Sequence, residues 1–165
     1  PHPKGRAFTL VAEARASGEL VWEERGTILR RGGGGDVDAP REPRPEPVAE
    51  GAPAVTEWKL DDGLGRRYAG VSGDRNPIHM HSLSAKAFGF PRAIAHGMWS
   101  QARCLAQVEG RTGGALATRA SFGKPLLLPG RVRFAIEERA GGEVGFALRD
   151  PREGTEYLLG DLTPG

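Results

Sequence analysis

Alternating apolar residues in the last third of the chain constrain its fold most strongly. Two runs, residues 131–139 (RVRFAIEER) and 143–149 (EVGFALR), carry an apolar side chain at every second position. The alternating side chains are Val132, Phe134, Ile136, Val144, Phe146 and Leu148. Because successive side chains of a β-strand point to opposite faces, this period of two predicts strands. Two similar runs, residues 117–122 and 155–162, bring the predicted strands of this region to four, separated by turns of Gly, Pro or charged residues.

A helical pattern precedes these strands. Residues 97–110 (GMWSQARCLAQVEG) form the longest predicted helix, which Gly110 would end. The apolar residues expected on one buried stripe of this helix are Met98, Ala102, Leu105 and Val108. One buried helix followed by four antiparallel strands predicts an α+β domain in which a sheet curls around a helix.

Shorter elements fill residues 55–89. Residues 55–60 (VTEWKL) are rich in strand formers, and residues 61–73 suggest a short helix that Gly73 stops. Residues 82–89 (SLSAKAFG) predict a second short helix, with Ser82 as the N-cap and Gly89 as the stop. Pro77 prevents a helix from continuing through the intervening segment.

The first 53 residues have a different character. Residues 6–15 and 19–30 are rich in strand formers, and Ser17-Gly18 between them predicts the turn of a hairpin. Residues 31–53 contain five Gly and five Pro and almost no large apolar side chain, so we expect a linker there. An isolated hairpin is marginally stable in water, so we expect residues 6–30 to pair with a larger sheet.

Composition excludes several classes of function. The formal net charge is +2, and the basic residues are scattered rather than clustered, so nucleic-acid binding is not expected. A small phosphorylated ligand would still suit the mild positive charge. The single cysteine, Cys104, fits a reducing compartment, and the chain lacks an apolar run long enough to span a bilayer. We therefore expect a cytoplasmic protein with no membrane partner.

The most informative short segment is residues 72–79 (SGDRNPIH), where an Asp, an Asn and a His fall within six residues. Asp74 and His79 together can add one proton and remove another near neutral pH, which is general acid–base catalysis. The Asn76 amide can orient either partner or a water because it donates and accepts hydrogen bonds. Considered singly, a D-x-N triplet in a loop is more often a turn or a helix cap.

A second segment, residues 95–99 (AHGMW), adds an electrophilic element. Gly97 lies at the predicted N-terminus of the long helix, where N–H groups are unpaired and the helix dipole is positive. A glycine there lets a substrate oxygen approach the backbone, which suggests an oxyanion hole. Such a site suits the addition or removal of water next to a thioester carbonyl. The candidate substrate-binding residues are Ser72, Gly73, His96 and Met98, and His96 is also expected to hydrogen-bond the neighbouring loop.

Metal and thiol chemistry are the alternatives. His79 and His81 invite a metal interpretation, but residues at i and i+2 share a face only on a strand, and Pro77 and the following helical pattern disfavour one. We therefore predict no metal site and no cofactor. Cys104 lies inside the predicted helix and is expected to be an inert core residue rather than a nucleophile.

Residues 68–99 (YAGVSGDRNPIHMHSLSAKAFGFPRAIAHGMW) resemble the signature of the MaoC-like dehydratases, the R-specific enoyl-CoA hydratase group. The resemblance covers roughly residues 55–164 and implies the hot-dog fold, a curled antiparallel sheet around one long helix. It implies that Asp74 and His79 are the catalytic pair, that Asn76 supports them, and that the Gly97 N–H is the oxyanion donor. The implied reaction interconverts trans-2-enoyl and R-3-hydroxyacyl thioesters of CoA or acyl carrier protein, as in fatty acid metabolism.

The resemblance also suggests a domain organisation. Some relatives carry two hot-dog units in one chain, so residues 1–30 would be the remnant of a first unit. Residues 31–53 would then be the linker and residues 54–165 the MaoC-like domain. The implied partner is a second copy in a dimer, or a second hot-dog unit.

Two other functions remain open. A hot-dog thioesterase would also polarise a thioester, but it would release free thiol without needing the Asp–His pair in this spacing. A non-catalytic subunit would only bind acyl thioesters, and the intact set of Asp74, Asn76 and His79 argues against it.

Overall fold

The computed structural model describes residues 5–32, 36, 38, 43–108 and 116–165. It divides the chain into two compact units, Pro1–Pro43 and Arg44–Gly165. Part of the predicted linker and the predicted end of the long helix at Gly110 lie outside the described residues. Within the described part of the chain, no helix is long and apolar enough to cross a membrane.

The first unit contains the predicted hairpin. Strand β1 (Gly5–Ala16) pairs antiparallel with β2 (Glu19–Arg31), which confirms the hairpin prediction. Both turn residues have a positive φ, 51° at Ser17 and 86° at Gly18, as two-residue hairpin turns that match the strand twist require. Large apolar side chains remain exposed along both strands: Phe8, Leu10, Val11, Leu20, Val21, Trp22 and Ile28.

The second unit is an α+β domain, as the sequence predicts. Five strands form one antiparallel sheet in the order β3-β5-β6-β7-β4. The strands are β3 (Ala54–Leu60), β4 (Leu116–Phe122), β5 (Gly130–Glu138), β6 (Val144–Arg149) and β7 (Glu156–Pro164). The helices are α1 (Leu64–Ser72), α2 (Pro77–Met80), α3 (Ser82–Ala87) and α4 (Gly97–Val108), and a short 3-10 turn (Ala140–Gly142) joins β5 to β6.

The inner face of the sheet packs on α4. The six alternating side chains predicted from β5 and β6 are all buried and share one apolar cluster with α4. The Trp58 ring of β3 stacks on the Phe134 ring, with centroids 5.5 Å apart. The period of two in the sequence therefore identifies the core face of this sheet correctly.

The buried stripe of α4 differs from the prediction. Ser100, Cys104 and Val108 are the buried residues, whereas Met98 is 48% exposed and Ala102 is exposed. This spacing of four places a stripe of smaller side chains against the sheet. The polar member is accommodated because the Ser100 hydroxyl donates to the His96 carbonyl at 3.5 Å. Val108 is buried as predicted.

The N-cap of α3 also differs. The cap is His81, whose Nδ1 accepts a hydrogen bond from the Leu83 N–H at 3.2 Å, and the predicted cap Ser82 is the first helical residue. His81 has the extended backbone that an N-cap needs, with φ −154° and ψ 147°. Gly89 follows the end of this helix with a φ of 85°, as a stop residue would.

Residues 44–53, the outer segment, cover the opposite face of the sheet. Val48 is 2% exposed and packs on Ala135, Ala147 and Leu159. Three guanidinium groups hold the backbone of this segment. Arg149 donates to the carbonyls of Val48 and Ala49, Arg139 to those of Glu46 and Pro47, and Arg133 to that of Glu50. The outer segment is therefore part of the folded unit, and the prediction of a spacer does not hold for it.

Candidate active site

The end of α1 forms the turn that delivers Asp74. Gly73 has a left-handed φ of 77°, and its N–H donates to the Ala69 carbonyl at 3.0 Å. The Ser72 hydroxyl donates to the Tyr68 carbonyl at 3.0 Å and accepts from the Asp74 N–H at 3.2 Å. The Ser72 hydroxyl and the Gly73 N–H are thus used in building the turn.

Each side chain of the Asp-x-Asn triplet has a local hydrogen bond. The Asp74 Oδ1 accepts from the Asn76 N–H at 3.0 Å, and the Asn76 Oδ1 accepts from the Ile78 N–H at 3.4 Å. Asn76 is therefore the N-cap of α2, with Pro77 at its first position. The Asp74 Oδ1 and the Asn76 Oδ1 therefore stabilise a turn and a helix cap, as expected for a D-x-N triplet. The second carboxylate oxygen of Asp74, Oδ2, faces the histidines.

His79 is buried and held in one tautomer. Its Nδ1 lies 2.8 Å from the Ile94 carbonyl oxygen. Because a carbonyl only accepts, Nδ1 carries the hydrogen and Nε2 presents a lone pair. Burial lowers the pKa of His79. The hydrogen bond to the Ile94 carbonyl and the Asp74 carboxylate raise this pKa, and neighbouring His96 lowers it, but burial has the largest effect. A neutral imidazole with a free Nε2 is suited to accept a proton near pH 7.

The Asp74 carboxylate faces both imidazoles. Its Oδ2 lies 4.0 Å from the His79 Nε2 and 3.8 Å from the His96 Nε2. The first distance is too long for a direct hydrogen bond, but one water molecule can hydrogen-bond both atoms. Asp74 is exposed whereas His79 is 8% exposed, so the pair lies where the solvent meets the interior.

The segment that enters α4 completes the cluster. The His96 Nε2 donates to the Asp74 carbonyl at 3.0 Å, which is the loop contact expected from the sequence. Gly97 begins α4, so its N–H belongs to the first turn, whose donors have no acceptor within the helix. Met98 follows with an exposed side chain. The site therefore brings together Asp74, Asn76, His79, His96 and the Gly97 peptide.

Two residues that shape this site, Phe122 and Gly65, were not identified from the sequence. A Cβ built at Gly97 would lie 3.1 Å from the Phe122 ring, so this half-exposed aromatic side chain lies against the start of α4. A Cβ built at Gly65 in α1 would overlap the His79 carbonyl oxygen. The isolated Gly65 within a helical pattern was the one available signal, since such glycines usually have a packing reason.

Asp74, His79 and His96 offer three donor atoms within 4.8 Å of one another. The His79 and His96 rings stack with centroids 3.7 Å apart and an angle of 24° between planes. Ring lone pairs lie in the ring plane, so two nearly parallel rings do not direct them at a common ion in the tetrahedral geometry of zinc. The His96 Nε2, the ring nitrogen nearest the Asp74 carboxylate, is also engaged as a donor to the Asp74 carbonyl. This cluster is better suited to proton transfer than to metal binding.

Cys104 is remote from this chemistry. Its side chain is 0% exposed in the core, and burial raises its pKa to about 12. A thiol in that state is a poor nucleophile. The structure agrees with the interpretation of Cys104 as a core residue.

Comparison with known proteins assigns the chain to a family. Residues 46–154 match the family described as the MaoC like domain. The chain is 33% identical over 159 residues to 3-hydroxyacyl-thioester dehydratase X of Mycobacterium tuberculosis, a match that covers 95% of this chain and 55% of that protein. It is 34% identical over 110 residues to peroxisomal enoyl-CoA hydratase 2 of Arabidopsis thaliana, covering 58% of this chain and 35% of that protein.

A solved structure gives the same result for the fold. The crystal structure of HtdX of Mycobacterium tuberculosis superposes with a TM-score of 0.80 at 30% identity, covering 99% of this chain and 62% of the other. The prediction of a hot-dog fold is confirmed by this similarity. The chain spans little more than half the length of the dehydratase X sequence that it matches. By the family match and the likeness to these proteins, this chain belongs to the MaoC-like domain family.

Proposed function

We propose that this chain catalyses the reversible addition of water to a trans-2-enoyl thioester, giving an R-3-hydroxyacyl thioester. The observation that carries the proposal is the Asp74 carboxylate facing the free Nε2 of His79 at 4.0 Å, beside the first N–H groups of α4. The names of two similar proteins, a 3-hydroxyacyl-thioester dehydratase and an enoyl-CoA hydratase, support the same reaction.

Hydration needs one water held between two proton-transfer groups. Its oxygen forms a bond to Cβ of the enoyl group, one of its protons is removed, and a proton is delivered to Cα. Asp74 and His79 are spaced so that one water can hydrogen-bond both, and His79 is kept neutral by burial. Dehydration is the same sequence in reverse.

The thioester oxygen gains negative charge as the water adds. The Gly97 N–H would donate a hydrogen bond to this oxygen, helped by the positive end of the α4 dipole. Because His96 precedes Gly97 and stacks on His79, the donor lies close to the acid–base pair. Phe122 packs over the same glycine and would cover one side of the bound acyl group.

The acid–base pair is tested with isosteric variants. Asp74→Asn removes the charge and a basic oxygen, and His79→Gln removes the group that shuttles a proton near pH 7. Each variant should lose most of its hydration rate, measured as loss of enoyl absorbance, while keeping the urea midpoint of the parent. The double variant should be little worse than the poorer single one, because residues that act as a unit show non-additive losses. Full rates in both single variants would contradict the proposal.

The same experiment separates the rival functions. A thioesterase would release free thiol, so a thiol assay is run beside the enoyl assay. A binding subunit would change neither signal. Activity should survive dialysis against a strong chelator, and loss of turnover that zinc restores would instead make the cluster a metal site.

We further propose that the hairpin pairs with additional strands, either from a second hot-dog unit or from another copy in a dimer. Its support is the exposure of large apolar side chains on both strands, Phe8 at 51% and Trp22 at 50% among them. Two strands alone are marginally stable, so additional partners would provide the missing stabilisation. Hydrogen exchange in the assembled protein should show protected amides in both strands, and rapid exchange throughout would contradict the pairing.

A further inference from the structure

His96 is buried deeply beside the proposed acid–base pair. Its side chain is 3% exposed, and its carbonyl accepts the N–H of Ser100 in the first turn of α4. The sequence suggested His96 as a substrate-binding residue. A side chain with so little exposed surface has little area to offer a substrate, so its function must lie in what it contacts inside the protein.

Three elements meet on the His96 ring. Its Nε2 donates to the main-chain carbonyl of Asp74 at 3.0 Å, which anchors the loop that carries the carboxylate. The ring stacks on His79 of α2 with centroids 3.7 Å apart. The Tyr68 ring of α1 packs edge-on against it, with centroids 5.0 Å apart. His96 therefore contacts both members of the pair and is itself braced by a third element.

The choice of histidine follows from two simultaneous requirements. With Nε2 donating to Asp74, Nδ1 is a buried acceptor that has no hydrogen-bond partner among the described residues. A buried polar atom without a partner is unfavourable. Phenylalanine would supply the flat ring without this cost but could not donate, and glutamine would supply a donor near the Nε2 position but could not stack. Histidine provides both.

We propose that His96 is a positioning residue that holds the Asp74 carboxylate and the His79 imidazole at the separation that one water bridges. The hydrogen bond to the Asp74 carbonyl fixes the loop, and the ring stack fixes the plane of His79. This inference rests on the proposed hydration reaction, and it assigns His96 no contact with substrate.

Two variants separate the two contacts. His96→Phe keeps the stacked ring and loses the anchor of the loop, whereas His96→Gln keeps a donor and loses the stack. We expect kcat to fall by about 10²-fold in the Phe variant, the usual consequence of misplacing a catalytic group by about 1 Å, with little change in KM. The Gln variant should also lose kcat. A raised KM with the parent kcat would show a substrate-binding role and overturn the proposal, and so would the parent kcat in both variants.

The pH profile adds a readout that a purely structural role would not move. The titratable groups that face His79 are Asp74 from the loop and His96, with Tyr68 of α1 behind His96. Losing the ring of His96 that covers His79 should expose the His79 imidazole to water and so raise its pKa. The acid limb of kcat/KM should therefore move to higher pH in His96→Gln, and less so in His96→Phe.

An activity-independent measurement distinguishes failure of this inference from failure of the proposed function. The His79 imidazole is titrated by NMR in the parent and in His96→Gln, with urea midpoints to verify folding. A higher His79 pKa in the variant supports the stacking contact even if the parent shows no hydratase activity. An unchanged titration overturns the inference whatever the activity. If neither variant folds, the Tyr68→Leu variant removes the brace behind His96, and the parent kcat in that variant would count against the proposal.

Discussion

Replacing Gly65 with alanine is expected to damage both folding and catalysis, although Gly65 touches no substrate. Gly65 is buried in α1, against the backbone of α2. A Cβ built there would overlap the His79 carbonyl oxygen and lie 2.9 Å from the His79 carbonyl carbon. These are main-chain atoms that cannot rotate away, so one of the helices must move.

Gly70 in the same helix is the matched control. It is exposed, and a Cβ built on it meets no heavy atom within 4 Å. Alanine favours a helix over glycine by roughly 0.5–1 kcal/mol, so Gly70→Ala should stabilise the protein by that amount. Gly65→Ala gains the same helix preference but adds an overpacking cost of about 1–3 kcal/mol. The difference in unfolding free energy between the two variants should therefore be about 1–3 kcal/mol.

The catalytic consequence follows from the position of His79. If relief of the overlap shifts α2 by about 1 Å, the hydration rate should fall by about 10²-fold. Urea denaturation gives the two stabilities, and loss of enoyl absorbance gives the two rates. The reasoning would be refuted if Gly65→Ala matched Gly70→Ala in both urea midpoint and kcat, because the close approach of α1 to His79 would then not exist.

Three further predictions concern the rest of the second unit. Arg149→Met should lose about 2 kcal/mol or more of stability, because two hydrogen bonds from a charged donor to the outer segment disappear. Arg133→Met, which loses one such bond, should lose less, and equal urea midpoints in the two variants would contradict this. Cys104 should resist a thiol reagent at pH 7 until urea unfolds the protein, since it is buried with a pKa of about 12, and native labelling at the unfolded rate would disprove the burial. Burial raises the pKa of Asp161, so its ionised form opposes folding and Asp161→Asn should raise the urea midpoint at pH 7. That advantage should shrink as the pH falls through the raised pKa, and a constant advantage at all pH values would contradict it.

Local sequence patterns were sufficient to predict most of the helices and strands and the proximity of the candidate acid–base residues. The period of two in β5 and β6 reflects the geometry of a single strand, and Gly73 stops α1 because a left-handed residue is needed at that point. The Ser17-Gly18 turn is likewise decided by backbone conformation at those two residues. Asp74, Asn76 and His79 lie within one loop and short helix, so their proximity also follows from the sequence.

Contacts between elements were decided only by the tertiary structure. The carbonyl of Ile94 holds the tautomer of His79, and the ring of His96 joins the Asp74 loop to α2, across 15 and 22 residues of sequence. Gly65 is required because α1 contacts the backbone of His79 at this position and leaves no room for a side chain.

The dependence on tertiary contacts also explains why two predictions were wrong, the buried stripe of α4 and the linker at the outer segment. The amphipathic pattern of α4 allows neighbouring stripes, and the fit against the sheet selected the one with Ser100 and Cys104 rather than Met98. The outer segment has the composition of a linker, yet Val48 packs on apolar side chains of the sheet. The Arg149 guanidinium satisfies the carbonyls of Val48 and Ala49, so the backbone can lie against the sheet. The sequence alone determines conformations that depend on adjacent residues. Contacts between side chains and carbonyls that are distant in the sequence depend on how the helices and strands pack.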